Sequence, residues 1–358
     1  MATGAPPTTP FAHYGRAGEA VSLGLVNMLL NLATLFVWRF WGKTRIRRFL
    51  WSHTTIWGDP LEYTGRGGEL FVGFLVVLVL VFLPLSAGYG LAAVLNEQGN
   101  PLGAALVSAL YLVVMFLVGA GLWRARRYQL SRTRWRGIRA GQGGSAWKYG
   151  LTWLGVAVLA GLTAGWSIPW SDMLLARTRL AHTTFGTQEF TCSATAGPLY
   201  RQFAVFWFGC ALLFAAVIGI AAVLGVAAGT VGGESAQEIA SFAIGALVLA
   251  LPLLSLPWAW YRAAFYRRLA EGTAFGQVRF VFAPGAWALV RVGLGNLILT
   301  AATLGIGRPW AASRIFRFVC THVRVIGEPD FAAIRQSVET APRTGEGLAA
   351  VFDGAGDF

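Results

Sequence analysis

The chain has 358 residues, of which 56% are hydrophobic and only 13% charged, about half the charged share of an ordinary soluble domain. Twenty-nine basic against 16 acidic residues give a net charge of +13. Stretches such as LFVGFLVVLVLVFLPLSAGYGLAAVL (70–95) hold no charge, which excludes a soluble globular protein and predicts membrane spans; the arginines gather at the ends of such stretches, so their charge reads as membrane topology and contact with anionic headgroups, not nucleic-acid binding.

In chain order, residues 1–14 form a tail with no basic-then-apolar cleavable signal. Seven apolar segments follow, at about 22–41, 70–95, 102–123, 149–170, 202–228, 239–261 and 287–307, and residues 333–358 form a second tail. The connections NEQGNP (96–101) and GTVGGESAQE (229–238) contain Glu97, Glu234 and Glu238 but no Lys or Arg, so they read as outside loops between crossing helices. PLEYT (60–64) and QVRFVF (277–282) have the alternation of short strands. Cys192, Cys210 and Cys320 form no C-x-x-C pair and read as reduced, structural residues.

The apolar segments belong to repeats. Residues 27–60 align without a gap on 296–329, with 14 of 34 positions identical. Arg39, Trp41, Arg45, Ile46, Arg48, Phe49 and His53 recur as Arg308, Trp310, Arg314, Ile315, Arg317, Phe318 and His322. A third copy keeps Trp170, Arg177 and His182. Two longer units with two apolar segments each lie between, giving a single, double, single, double, single order. The unit bounds are about 15–64, 65–142, 143–196, 197–283 and 284–332, within one membrane domain at 15–332. The expected fold is an all-α integral membrane protein, a helical bundle of these repeats with short amphipathic interfacial helices and short strands on the cytoplasmic side. If every single unit crossed once, arginines would lie outside. If each enters and leaves on one face, the basic residues share one side and the acidic connections the other, with both termini cytoplasmic. This four-span arrangement is the preferred one over seven spans.

On a helix, Trp41, Arg45 and Arg48 share a face, as do Trp310, Arg314 and Arg317. With Trp170 and Arg177 they read as interfacial anchors or as contacts to lipid phosphate. Asn27, Asn31, Asn296 and Thr303 are polar groups in apolar segments that would line a cavity if the protein transports. Glu19 and Glu69, beside the glycines of GRAGE and GRGGE (Gly65 and Gly68 in the second), favour helix starts; no nucleotide loop is present. His53, His182 and His322 occupy equivalent positions; packing accounts for them better than a metal site does. No catalytic constellation or cofactor motif appears, so a non-enzyme without cofactors is expected.

The run Gly65-x-Gly67-Gly68-Glu69-Leu70-Phe71, then Thr303-Leu304-Gly305-Ile306 before Trp310, resembles the YjgN family of bacterial inner-membrane proteins. GRAGE departs from it, continuing with Ala20-Val21. The resemblance implies a multi-pass inner-membrane location and architecture, not an activity. Two functions remain open: transport of a small solute or lipid handling, and a scaffold whose basic face binds anionic lipid or a protein partner.

Overall fold

The computed structural model describes residues 10–231, 235–331 and 334–336. Most of the two expected tails, and Glu234, lie outside the described residues. The elements run β1 (Phe11–His13), α1 (Ala17–Ala33), α2 (Arg39–Ser52), β2 (Thr54–Ile56), β3 (Asp59–Tyr63), α3 (Gly67–Val77), a π-turn (Leu78–Phe82), α4 (Leu83–Glu97), α5 (Pro101–Ser131), β4 (Thr133–Trp135) and β5 (Ile138–Gln142). There follow α6 (Ala146–Leu162), α7 (Ile168–Ala181), β6 (Thr183–Phe185), β7 (Gln188–Cys192), α8 (Tyr200–Val231), α9 (Ser235–Glu271), β8 (Thr273–Phe275), β9 (Val278–Phe282), α10 (Ala286–Ala302), α11 (Arg308–His322) and β10 (Val323–Ile326). Strand, helix, helix, strand is the order five times over.

The strands join into one antiparallel sheet in sequence order, β1 to β10. This overturns the all-α expectation: the helices stand on a ten-stranded, nearly closed sheet, with a strand on either side of each helix pair. Short strands at 60–64 and 277–282 correspond to β3 and β9; eight more were not read. Hairpin chemistry explains the pairing. Trp57 and Gly58, and Arg136 and Gly137, have positive φ at both central positions, the type I′ signature, while Gly186 and Gly276 take positive φ at the first position only of their turns, as in type II′. Side chains alternate between two faces. Tyr63, Trp135, Gln142 and Val278 are buried, while Glu62, Arg134, Glu189 and Arg279 on the opposite face are exposed. Aromatic rings continue the buried face across hairpins, Trp135 lying 5.8 Å from Phe185 and Phe185 6.4 Å from Phe275. The C-terminal segment lies over the hairpin ends: Phe331 packs 5.4 Å from Trp57 and 5.2 Å from Trp135, and Thr187 N–H donates to the Arg335 carbonyl at 3.0 Å.

The helix pairs differ in length. Among the described residues, Gly67–Glu97, Pro101–Ser131 and Gly197–Gly219 are long and apolar enough to cross a membrane. α1, α6 and α10 have 17 residues each, about 25 Å of helix against a hydrocarbon core of about 30 Å. Each then turns back within five residues. In the first turn Thr34 caps α1, Leu35 takes φ +49°, and the Phe36 N–H reaches the Asn31 carbonyl at 2.7 Å, a Schellman stop. Gly165 and Gly305 make the equivalent bonds to Ala160 and Thr300. The threonine hydroxyl binds both sides of the turn: Thr303 Oγ1 donates to Leu299 O and accepts from Gly307 N–H at 2.9 Å, as Thr34 does with Leu30 and Trp38, and Thr163 with Leu159 and Ser167. Thus both ends of a short pair meet the sheet, while its tip is apolar and uncovered, with Leu35 85% and Leu304 87% exposed.

The helices close into a ring. α2 packs on α3, α5 on α6, α7 on α9, α9 on α10, and α11 on α1. Gly24 makes the last contact close: a Cβ there would overlap the Ile306 carbonyl oxygen. The guanidinium of Arg48 donates to Gly65 O at 2.8 Å, and its repeat counterpart Arg317 donates to Gly15 O at 2.9 Å. One arginine contact therefore joins the first unit to the second and the fifth back to the first.

Candidate functional site

The first short pair encloses a groove of about 430 Å³ lined by Glu19, Ser22, Leu23, Val26, Arg45, Arg48 and Phe49. Helical spacing assembles it. Residues 19, 22, 23 and 26 of α1 lie on one face, as do 45, 48 and 49 of α2. The sheet-proximal end is charged. Glu19 Oε2 lies 3.3 Å from His53 Nε2, while His53 Nδ1 contacts the Phe49 carbonyl at 2.8 Å. Arg48 is tied to Gly65 O. Arg45 is exposed and has no ion pair among the described residues. Phe49 belongs to that same sheet-proximal end, its ring 4.4 Å from His53, whereas Arg45, one helical turn nearer the tip, stands level with the apolar wall of Leu23 and Val26. A guanidinium beside apolar walls can hold an anionic headgroup while acyl carbons cover the walls.

The other sequence-derived candidates lie as follows. Trp41 is half-buried at the junction of the first two units, 6.0 Å from Trp38 and 5.8 Å from Phe71. Trp310 is half-buried, and Trp170 is exposed. Arg177 is exposed on α7, and the Arg314 guanidinium lies against Gly295. Asn27 and Asn296 are buried between the two helices of their pairs. Asn27 Nδ2 donates to Gly42 O at 3.4 Å, and Asn296 Nδ2 to Ala311 O at 3.1 Å. They join helices here, and Thr303 caps a turn. Asn31 Oδ1 is buried without a partner. Glu69 accepts from Tyr128 Oη at 2.6 Å and pairs with Arg132 at 2.8 Å, binding the two ends of the second unit as Glu19 and His53 bind those of the first; Gly68 stands open beside it and Gly65 packs on Tyr63. His182 and His322 repeat the contact of His53, each Nδ1 lying 2.8 Å from the carbonyl four residues earlier. The three histidines thus share one role at helix ends. Among the described residues no group of three or more metal-ligating side chains converges.

Sequence reading missed the contact between Asp172 and the fourth unit, where the carboxylate accepts from Tyr261 Oη at 3.0 Å and meets Arg262 at 3.3 Å. It also missed a second arginine cluster, at Arg126 and Arg179. Aligning 47–63 on 126–142 at an offset of 79 sets Arg126 at the position of the buried Arg47, but Arg179, on α7, has no local pattern that announces it.

Residues 8–351 match the family described as bacterial protein of unknown function (DUF898). The chain belongs to the DUF898 family. Relatives of this DUF898 chain include the inner membrane protein YjgN of Salmonella typhimurium (strain LT2), 31% identical over 128 residues. That match spans 36% of this chain and 29% of the relative. The inner membrane protein YjgN of Escherichia coli O157:H7 is 26% identical over 133 residues, 37% of this chain and 31% of its own length. The chain thus matches less than a third of the length of these relatives. Their names support an inner-membrane location for the DUF898 chain. No solved structure matches it.

Proposed function

We propose that this protein handles anionic phospholipid in the inner membrane, holding the headgroup in the α1–α2 groove. The sheet and the arginines lie at the cytoplasmic surface, the long pairs cross, and the short pairs enter and leave on that same side. The observation that carries the reading is the groove itself, in which the unpaired Arg45 stands between the charged sheet-proximal end and the apolar wall of Leu23 and Val26. The apolar tips at Leu35 and Leu304 support burial of the short pairs in lipid: in water they would leave large side chains uncovered at considerable cost.

Native mass spectrometry of the detergent-extracted protein tests this. Wild type should retain phosphatidylglycerol over phosphatidylcholine, Arg45→Glu should lose that preference, and Glu19→Gln should strengthen it. Equal retention of both lipids by all three proteins would refute the groove as a headgroup site. A cysteine at position 35 that labels with a membrane-impermeant maleimide would refute the placement of the tips.

A further inference from the structure

At the junction of the second and third units, buried polar atoms converge without partners. Trp123 and Tyr149 are 1% and 2% exposed and their rings lie 4.7 Å apart. Neither Trp123 Nε1 nor Tyr149 Oη has a hydrogen-bond partner, and the same holds for Arg126 Nε and for both polar atoms of Gln142, itself 2% exposed. Leu175 of α7 packs with Trp123 and Tyr149, and His182 at the end of α7 lies 5.4 Å from Trp123; Arg179, four residues after Leu175 and three before His182, lies on that same face of α7, as Arg126 lies one turn from Trp123 on α5. Among the described residues neither arginine forms an ion pair. Arg179 Nε makes only a long contact, 3.4 Å, to the Leu175 carbonyl.

The first unit shows what this position does when it is satisfied. At an offset of 79, Arg126 corresponds to Arg47 and Gln142 to Tyr63. The buried Arg47 donates to Tyr63 Oη at 3.0 Å. In the second unit the strand residue is changed, and a second cation, Arg179, faces in from α7. Buried donors without acceptors are costly, and two guanidiniums without a carboxylate more so. A ligand with several anionic oxygens would satisfy them together.

We propose that α5, β5, α6 and α7 form a second anion site, in which Arg126 and Arg179 hold a phosphate group while Tyr149 Oη and Trp123 Nε1 donate to its oxygens. Its geometry stands apart from the α1–α2 groove and does not rest on it. Inorganic phosphate and a phospholipid headgroup carry the same chemistry. The test therefore uses the full-length protein in detergent at constant ionic strength, with three probes: inorganic phosphate, dihexanoyl phosphatidic acid and dihexanoyl phosphatidylcholine. Melting temperature is followed in each titration. Wild type should gain stability with inorganic phosphate or with the phosphatidic acid. Arg126→Gln and Arg179→Gln should each weaken that response at least tenfold. Tyr149→Phe, which removes only the hydroxyl, should weaken it less and keeps the test readable if an arginine variant fails to fold. Arg134→Gln, the same charge change on the exposed face of the sheet, should leave it intact. A response to inorganic phosphate marks a soluble anion, and a response to phosphatidic acid alone marks a lipid. The proposal is overturned if neither anion stabilises wild type, if phosphatidylcholine stabilises it equally, or if Arg134→Gln weakens the response as much as Arg126→Gln.

Discussion

His13 shows how much one side chain near the chain start can hold. It is 7% exposed, with Nδ1 2.9 Å from Thr54 Oγ1 and Nε2 3.0 Å from Ser313 Oγ. The Thr54 hydroxyl gives its proton to Leu50 O, so His13 Nδ1 donates to Thr54 and Nε2 accepts from Ser313. Burial first, then the charges of Arg317 and His53, push its pKa down from 6.5 to about 4. An unfolded histidine takes a proton near pH 6.5, so the neutral ring stabilises the fold fully above that value, and the contribution is lost as pH falls toward 4. By pH 4.5 the loss reaches about 2.5 kcal/mol. Melting curves at pH 7.5 and 4.5 should show wild type losing more stability than His13→Gln by about that amount; equal losses would contradict it. At the same scale, Thr303→Val removes the acceptor of Gly307 N–H and should cost about 1 kcal/mol, read as a lower melting temperature.

At the scale of elements, the contact between α1 and the turn before α11 depends on Gly24 having no side chain. Gly24→Leu should lower stability by about 1–3 kcal/mol through overpacking, whereas the same change at Gly18, where nothing lies within 4 Å of an added Cβ, should be nearly neutral. Paired thermal melts decide between them. This scale also shows what could be read in the sequence. The apolar helices were legible, because their runs span several turns. The turn at 34–38 was hidden, since Leu35, Phe36 and Val37 are apolar and merge with the run before them. Most strands were hidden too. Thr183–Phe185 has only three residues, too few to display a period of two, and it is stable only because β5 and β7 flank it. Asn27 and Asn296 were visible as polar residues in apolar surroundings, but their partners are backbone carbonyls 15 residues later, which no local pattern announces.

For the whole molecule, the contact of Arg317 with Gly15 O does across the chain ends what Arg48 does within the continuous chain. Arg317→Leu should loosen that junction. Hydrogen exchange at residues 11–15 should speed up several-fold while β4 and β5 stay protected, and uniform exchange across the sheet would argue against a local closure. Such closure also has a consequence of parity. An odd number of members cannot alternate around a circle, so somewhere two of a kind must be neighbours. The short pairs α10–α11 and α1–α2 are those neighbours. The long pairs flank the third unit on one side of the circle, and on the other side two low pairs stand together. The rim is therefore uneven by arithmetic, and the α1–α2 groove lies in the low half, beside the equally short α10–α11 pair.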